Sequence, residues 1–362
     1  MRRLLRWTVL VPVLALIALG LTWGSRPGVV VVVVVAGLLA GAVLSAVRHA
    51  EVVAHRVGEP FGSLVLAVAV TVIEVALIVT LMVSGGPETA TLARDTVFAA
   101  VMITTTGIVG LSLLVGARRY RVTLFHAEGS GAALATVTTL ATLSLVLPTF
   151  TTSEPGPEFS PGQLTFAGLA SLALYGMFVL TQTIRHRDFF VPVAHEAVTD
   201  RGEEEHAQPP TTREALTSLG LLMVALVAVV GLATVESPAI EEGMALAGFP
   251  QSFVGVMIAM LVLLPETLAA VRAAHRGLIQ ISLNLAYGAA MASIGLTIPT
   301  IALASVWLEG PLVLGLGATQ MVLLLLTVVV SVLTVVPGRA TRLQGSVHLV
   351  LLAAFLFLAT SP

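Results

Sequence analysis

GEPFGSLVLAVAVTVIEVALIVTLM, residues 58–82, is an apolar run long enough to cross a bilayer, with a single carboxylate, Glu74, well inside it. A bare carboxylate at that depth costs at least ~2.5–3.5 kcal/mol on insertion scales, so something has to offset the cost. The chain holds one comparable residue, Glu266, in PQSFVGVMIAMLVLLPETLAAVRA, residues 250–273. No other acidic residue is flanked on both sides by apolar sequence in the same way. The two glutamates read as the two halves of one ion site.

The rest of the composition agrees with a membrane setting. Of 362 residues, 57% are hydrophobic and only 10% charged, which excludes an ordinary soluble domain and indicates an all-α polytopic membrane protein. There is no cysteine, so disulfides, thiolate metal sites and cysteine nucleophiles are absent and a soft-metal transporter is disfavoured. All 18 basic side chains are arginine.

About 20 apolar residues at 1.5 Å rise cover a hydrocarbon core of about 30 Å. On that ruler eleven spans fall near residues 7–24, 28–47, 60–84, 96–116, 131–150, 163–184, 215–235, 249–271, 278–305, 311–336 and 344–359. The first follows Arg2, Arg3 and Arg6, and no small-residue cleavage site follows it, so it reads as a retained helix and not as a signal peptide.

With the N-terminus in the cytoplasm and the C-terminus outside, sixteen of the eighteen arginines fall on the inner side of the alternating ladder, and only Arg26 and Arg94 outside. The outer loops instead carry Glu88, Asp95, Glu154, Glu158, Glu236, Glu241, Glu242 and Glu309. An error of one span would destroy this alternation. The membrane implied is a bacterial cytoplasmic (inner) membrane.

The polar segment 185–213 divides the chain. Residues 1–27 form an N-terminal helix, 28–184 a first group of five spans and 214–362 a second. An odd number of spans per group makes the second enter the membrane in the opposite sense, the inverted 5+5 repeat common among secondary transporters. Glu74 and Glu266 then lie in corresponding spans of an antiparallel pair.

Around Glu74, Thr71, Ala67 and Ser63 share roughly one helical face, and a hydroxyl one turn away can bond the carboxylate or offer an oxygen to a cation. Around Glu266, Ala259, Ala269, Ala270 and Ala273 make a small surface on which helices approach closely. Pro265 removes the bond to the carbonyl of Leu261. Pro60 and Gly62 weaken the start of the Glu74 span in a comparable way. The span after Glu266 adds Ser282, Asn284, Ser293, Thr297 and Thr300, and its first-half counterpart adds Thr104, Thr105, Thr106 and Ser112. Thr71, Thr105, Thr106, Asn284 and Ser293 are the candidate auxiliary ligands to Glu74 and Glu266.

Two carboxylates with uncharged oxygens form a hard-ligand set suited to Ca²⁺, which takes six to eight oxygens. Two protons can neutralise the same pair, so competition between two H⁺ and one Ca²⁺ is itself an exchange mechanism.

The two stretches GEPFGSLVLAVAVTVIEVALIV and LVLLPETLAAVRAAHRGLIQISLNLAYGAAMASIGLTIP resemble the paired signature regions of the bacterial calcium/proton antiporters, within the calcium/cation antiporter superfamily. The resemblance implies eleven helices, an inverted core and Glu74 and Glu266 as transport carboxylates. It also departs from the pattern. Related exchangers often carry Gly-Asn before each glutamate, whereas here the positions read Val72-Ile73 and Leu264-Pro265. Some members of the family move Na⁺ or K⁺ against protons, so a monovalent-cation/proton antiporter is the alternative.

The expected partners are therefore Ca²⁺ and H⁺, with Na⁺ or K⁺ as alternatives, and the lipid bilayer; no cofactor and no nucleic acid is expected, and the oligomeric state is open. An intramembrane hydrolase would use two acids as well, but there is no nucleophile and base motif, HExxH or phosphate loop. Glu59 reads as a helix-end residue. The polar cluster of His186, Asp188, His195, Glu196, Asp200, Glu203, Glu204, Glu205 and His206 reads as a solvated linker in preference to a sensor of pH or Ca²⁺.

Overall fold

The computed structural model describes residues 4–25, 28–58, 61–85, 89–193, 210–307 and 310–361. Glu59, Pro60, the side chain of Ser63 and the part of the polar cluster from His195 to His206 lie outside the described residues.

Nearly all of the described chain is helix. In order, α1 is Leu4–Thr22, α2 Val29–Val57 and α3 Phe61–Gly85. Helix α4 (Leu92–Met102) continues through a π-helical segment, Ile103–Ile108, into α5 (Val109–Tyr120). Then come α6 (Ala127–Ala141), α7 (Pro161–Leu180), α8 (Thr212–Ala247), α9 (Phe253–Val262), α10 (Leu264–His275), α11 (Ile279–Ala304), α12 (Ala318–Val335) and α13 (Arg342–Thr360). By length and hydropathy nine helical segments among the described residues are able to cross a membrane, and α9 with α10 makes a tenth, bent by 53°. Trp7–Thr22 is apolar but shorter. These eleven segments fall where the eleven spans were expected.

Several boundaries differ, among them the start of α12, which comes at Ala318 after a Gly317 N-cap and not near residue 311. Helix α2 does not stop near residue 47 but runs to Val57, where Gly58 takes a positive φ of 78° and ends it. Helix α8 does not stop near residue 235 but runs 36 residues, from a Thr211–Glu214 capping box to a left-handed Gly248 at φ 68°. Glu236, Glu241 and Glu242 are therefore helical and not loop residues, and Glu236 is buried. Asp95, also expected in an outer loop, is buried in the first turn of α4, where Arg94 pairs with it at 2.8 Å and Thr91 donates to it at 2.7 Å.

Loop contacts agree with the two sides of the arginine ladder. On one side, β1 (Val122–Leu124) pairs antiparallel with β2 (Arg339–Thr341), and the Arg56 guanidinium donates to Thr212 Oγ1 at 2.9 Å. On the other, Gly315 N–H donates to Pro157 O at 2.9 Å, and Arg94 donates to Gly315 O at 3.2 Å.

The helices enclose two apolar clusters. One is built on α4, α5, α6, α11 and neighbours; the other on α1, α2 and α8. Helix α3 puts Val75 and Ile78 into the first and Ile73, Leu77 and Leu81 into the second. Helix α9 does the same with Val256 and Ala259 against Val254, Ile258 and Val262. Helix α3, which bears Glu74, and α9, which leads into the Glu266 helix α10, thus stand in the seam between clusters, while α10 itself adds Ala270 and Ala274 to the first. Packing is reciprocal across the two halves: α3 lies on α11 while α9 and α10 lie on α4 and α5, and α7 lies on α11 while α13 lies on α5.

Candidate two-carboxylate cavity

Glu74 is 3% exposed, on α3 thirteen residues after Phe61, about 20 Å along the helix at 1.5 Å per residue. Ser293 of α11 donates its hydroxyl to Glu74 Oε1 at 2.8 Å. Ser293 lies fourteen residues into α11, a depth of about 21 Å by the same ruler. The bond therefore joins two mid-membrane positions 219 residues apart in sequence.

Glu266 is reached differently. Pro265 has no N–H to offer to Leu261, and the segment breaks at Leu263 between α9 and α10. The break puts Glu266 in the first turn of α10, where unpaired backbone N–H groups and the positive end of the helix dipole favour an anion. Its Oε2 is sealed from solvent with no hydrogen-bond partner. Glu266 is nine residues from His275 at the end of α10, about 14 Å along that helix.

A cavity of about 240 Å³ joins the two. Glu74, Thr71 and Ala67 of α3, Glu266 of α10, and Asn284, Gly288 and Ser293 of α11 line it. Tyr175 and Phe178 of α7, with Gln182 and Thr183 beyond its end, close the remaining wall. These α7 residues were not among the sequence candidates. Gln182 and Thr183 interrupt an apolar span only at its last turn, where a polar pair reads as the membrane boundary.

The candidate auxiliary residues separate into two groups. Thr71, Asn284 and Ser293 line the cavity. The Asn284 amide is already engaged, donating to Phe190 O at 2.6 Å and accepting from Gln280 at 2.9 Å. Thr105 and Thr106 do not reach the cavity, which corrects their placement as ligands. Their hydroxyls donate to Val101 O at 2.6 Å and Met102 O at 2.5 Å on their own helix, as buried threonines do when nothing else is near. The π-helical turn leaves the Thr105 carbonyl to His348 Nδ1, 2.9 Å away on α13.

Among the described residues no three His, Cys, Asp or Glu side chains converge on a point that could hold a metal. The cavity wall holds two carboxylates, the hydroxyl residues Thr71, Thr183 and Ser293 and the amide residues Gln182 and Asn284, with room for water. That set suits a cation held briefly, not one held permanently.

The sequence profile of the sodium/calcium exchanger protein family matches residues 27–184 and again 217–361. The chain belongs to this family. It is accordingly a multi-pass membrane ion exchanger and not an enzyme, a member of the calcium/cation antiporter superfamily. The chain is 44% identical over 363 residues to the protein y4hA of Sinorhizobium fredii, covering 98% of this chain and 96% of that one. It is 36% identical over 354 residues to the sodium-potassium/proton antiporter ChaA of Escherichia coli, covering 96% and 94%. In fold it is similar to the solved structure of native YfkE, with a TM-score of 0.71 at 15% identity and 99% of each chain covered. YfkE is described as a Ca²⁺/H⁺ antiporter.

Proposed function

We propose that the chain is a proton-coupled cation antiporter of a bacterial inner membrane, N-terminus in the cytoplasm, working by alternating access at Glu74 and Glu266. The observation that carries this is the single cavity that has both carboxylates in its wall. The halves 28–184 and 214–362 are read as inverted repeats, supported by the two separate family matches and the reciprocal packing. Gln182 and Thr183 lie just before Arg185, on the arginine-rich side, so the cavity is read as open to the cytoplasm.

The chemistry follows from desolvation. Two bare carboxylates are costly to enclose, whereas protons or cations neutralise them. If only the neutral site rearranges, influx of one species requires efflux of the other. One Ca²⁺ then exchanges for two protons. One Na⁺ or K⁺ exchanges for one, the second carboxylate staying protonated.

Na⁺ and K⁺ are the favoured cargo. ChaA is the relative similar through nearly the whole chain whose described ions are sodium and potassium. The positions before the glutamates are apolar, Val72-Ile73 and Leu264-Pro265, where related exchangers often carry Gly-Asn, so the amide oxygens those residues would add to a Ca²⁺ ligand set are missing. Ca²⁺ is the second reading, favoured by the match of two negative charges to one divalent ion and by the YfkE fold.

The test is proton efflux from acid-loaded inside-out vesicles on adding Na⁺, K⁺ or Ca²⁺, with Glu74→Gln and Glu266→Gln beside the native protein. Glutamine keeps shape and hydrogen bonding but not charge. The expected result is a native response lost in both variants, with thermal unfolding in detergent unchanged. A response to Ca²⁺ alone would transfer the function to the second reading, and full exchange by a stable Glu74→Gln protein would remove the site.

A further inference from the structure

Among the described residues, two acids are buried away from the cavity: Asp95, which Arg94 and Thr91 engage, and Glu236. Glu236 on α8 is 2% exposed, and its Oε1 has no hydrogen-bond partner. It continues the buried stripe of Val229, Leu232 and Ala233, which packs into the same apolar cluster as Leu77 and Leu81 of α3. The neighbouring hydroxyl is committed elsewhere, since Ser237 donates to Glu241 at 3.2 Å. A carboxyl oxygen buried without a partner costs free energy when the group is charged, a cost that taking up a proton relieves.

Its depth is distinct. The Arg56–Thr212 bond sets the end of α2 level with the start of α8, and α3 begins just after α2 ends. From that common level Glu236 lies 24 residues along α8, about 36 Å, against about 20 Å for Glu74 on α3. Glu236 is thus about 15 Å beyond Glu74, away from the side where Gln182 and Thr183 line the cavity.

Among the described residues, the helices packed on α8 bring few charges to that end. From Trp7 onward α1 has no titratable side chain; α2 has Arg48, His49, Glu51, His55 and Arg56 at its opposite end; and α3 has only Glu74. On α8 itself Glu241 and Glu242 follow toward the outer face. A dehydrated cation needs several oxygen ligands, which this apolar stripe does not supply. A proton needs one oxygen.

We propose that Glu236 is a proton-carrying carboxyl on the outer route to Glu74, accepting protons from the outer medium and delivering them to the two-carboxylate site when that side opens. The inference rests on the proton-coupled reading above. It is tested in right-side-out vesicles holding native, Glu74→Gln, Glu236→Gln or Glu236→Asp protein, using whichever of Na⁺, K⁺ and Ca²⁺ the native protein takes fastest. Two modes are measured: labelled cation-for-cation counterflow at equal pH, and proton-coupled exchange as outer pH is varied. For Glu236→Gln the expected result is counterflow within about twofold of native, proton-coupled exchange at least about tenfold slower and a flattened outer-pH profile, with substantial recovery in Glu236→Asp. Native rates and an unchanged profile in Glu236→Gln would overturn the proposal, as would a parallel loss of both modes. A native protein that runs counterflow but never moves protons would instead overturn the proton-coupled reading itself.

Discussion

One hydroxyl distinguishes the two glutamates: Glu74 accepts from Ser293, whereas Glu266 Oε2 has no donor. A hydrogen bond to a charged group is worth roughly 1.5–3 kcal/mol. Ser293→Ala is therefore expected to weaken apparent cation affinity about tenfold, or 1.4 kcal/mol, with maximal rate largely kept. Cation titrations of exchange check this, and an unchanged half-saturation would mean that the bond plays no part in binding. At this scale the acids were legible because each breaks an apolar run, and Ser293 because it lies on a span dense in small and polar residues. Thr105 and Thr106 were not, since residue type does not reveal that a buried threonine bonds its own helix. Glu236 was missed because the apolar window ends at residue 235, while the helix itself continues to Ala247.

Two glycines separate what holds the helices from what shapes the cavity. A Cβ on Gly255 of α9 would lie 2.7 Å from Thr96 N and 2.8 Å from the Asp95 carbonyl carbon, where the α9 and α4 backbones meet. A Cβ on Gly288 of α11 would meet nothing within 4 Å, yet the residue lines the cavity. Overpacking costs roughly 1–3 kcal/mol, so Gly255→Ala is expected to lower the thermal unfolding midpoint in detergent by several degrees. Gly288→Leu is expected to leave that midpoint in place and slow exchange at least about tenfold. A Gly288→Leu protein with native rates would show that ions do not pass through this cavity. Helix order was readable from hydropathy, and the lost bond to Leu261 from Pro265, but not the 53° bend between α9 and α10. The reach of α2 and α8 was not, because a helix with charged residues at its end looks like a loop to a hydropathy window.

At the scale of the molecule, α3 and α9 each contribute to both apolar clusters, so a displacement of α1, α2 and α8 against the remaining helices would shear across the Glu74 helix and the helix that leads into the break before Glu266. The absence of cysteine makes sidedness directly measurable. A Thr183→Cys protein is expected to react with a membrane-impermeant maleimide in inside-out vesicles, to be protected by the transported cation, and to stay unreacted in right-side-out vesicles. The reverse pattern would invert the topology. The arginines carry an expectation of sidedness that this labelling decides, and the two acids an expectation that the halves meet, but no local pattern encodes the particular contact between Ser293 and Glu74. That contact also has a history in time. Ser293 leaves the ribosome 219 residues after Glu74, which at about 5–20 residues per second is roughly 10–45 s. Throughout that interval Glu74 has to remain inserted without its hydroxyl donor, so biogenesis depends on the translocon or on early neighbouring helices to shelter an acid whose lasting partner has not yet been made.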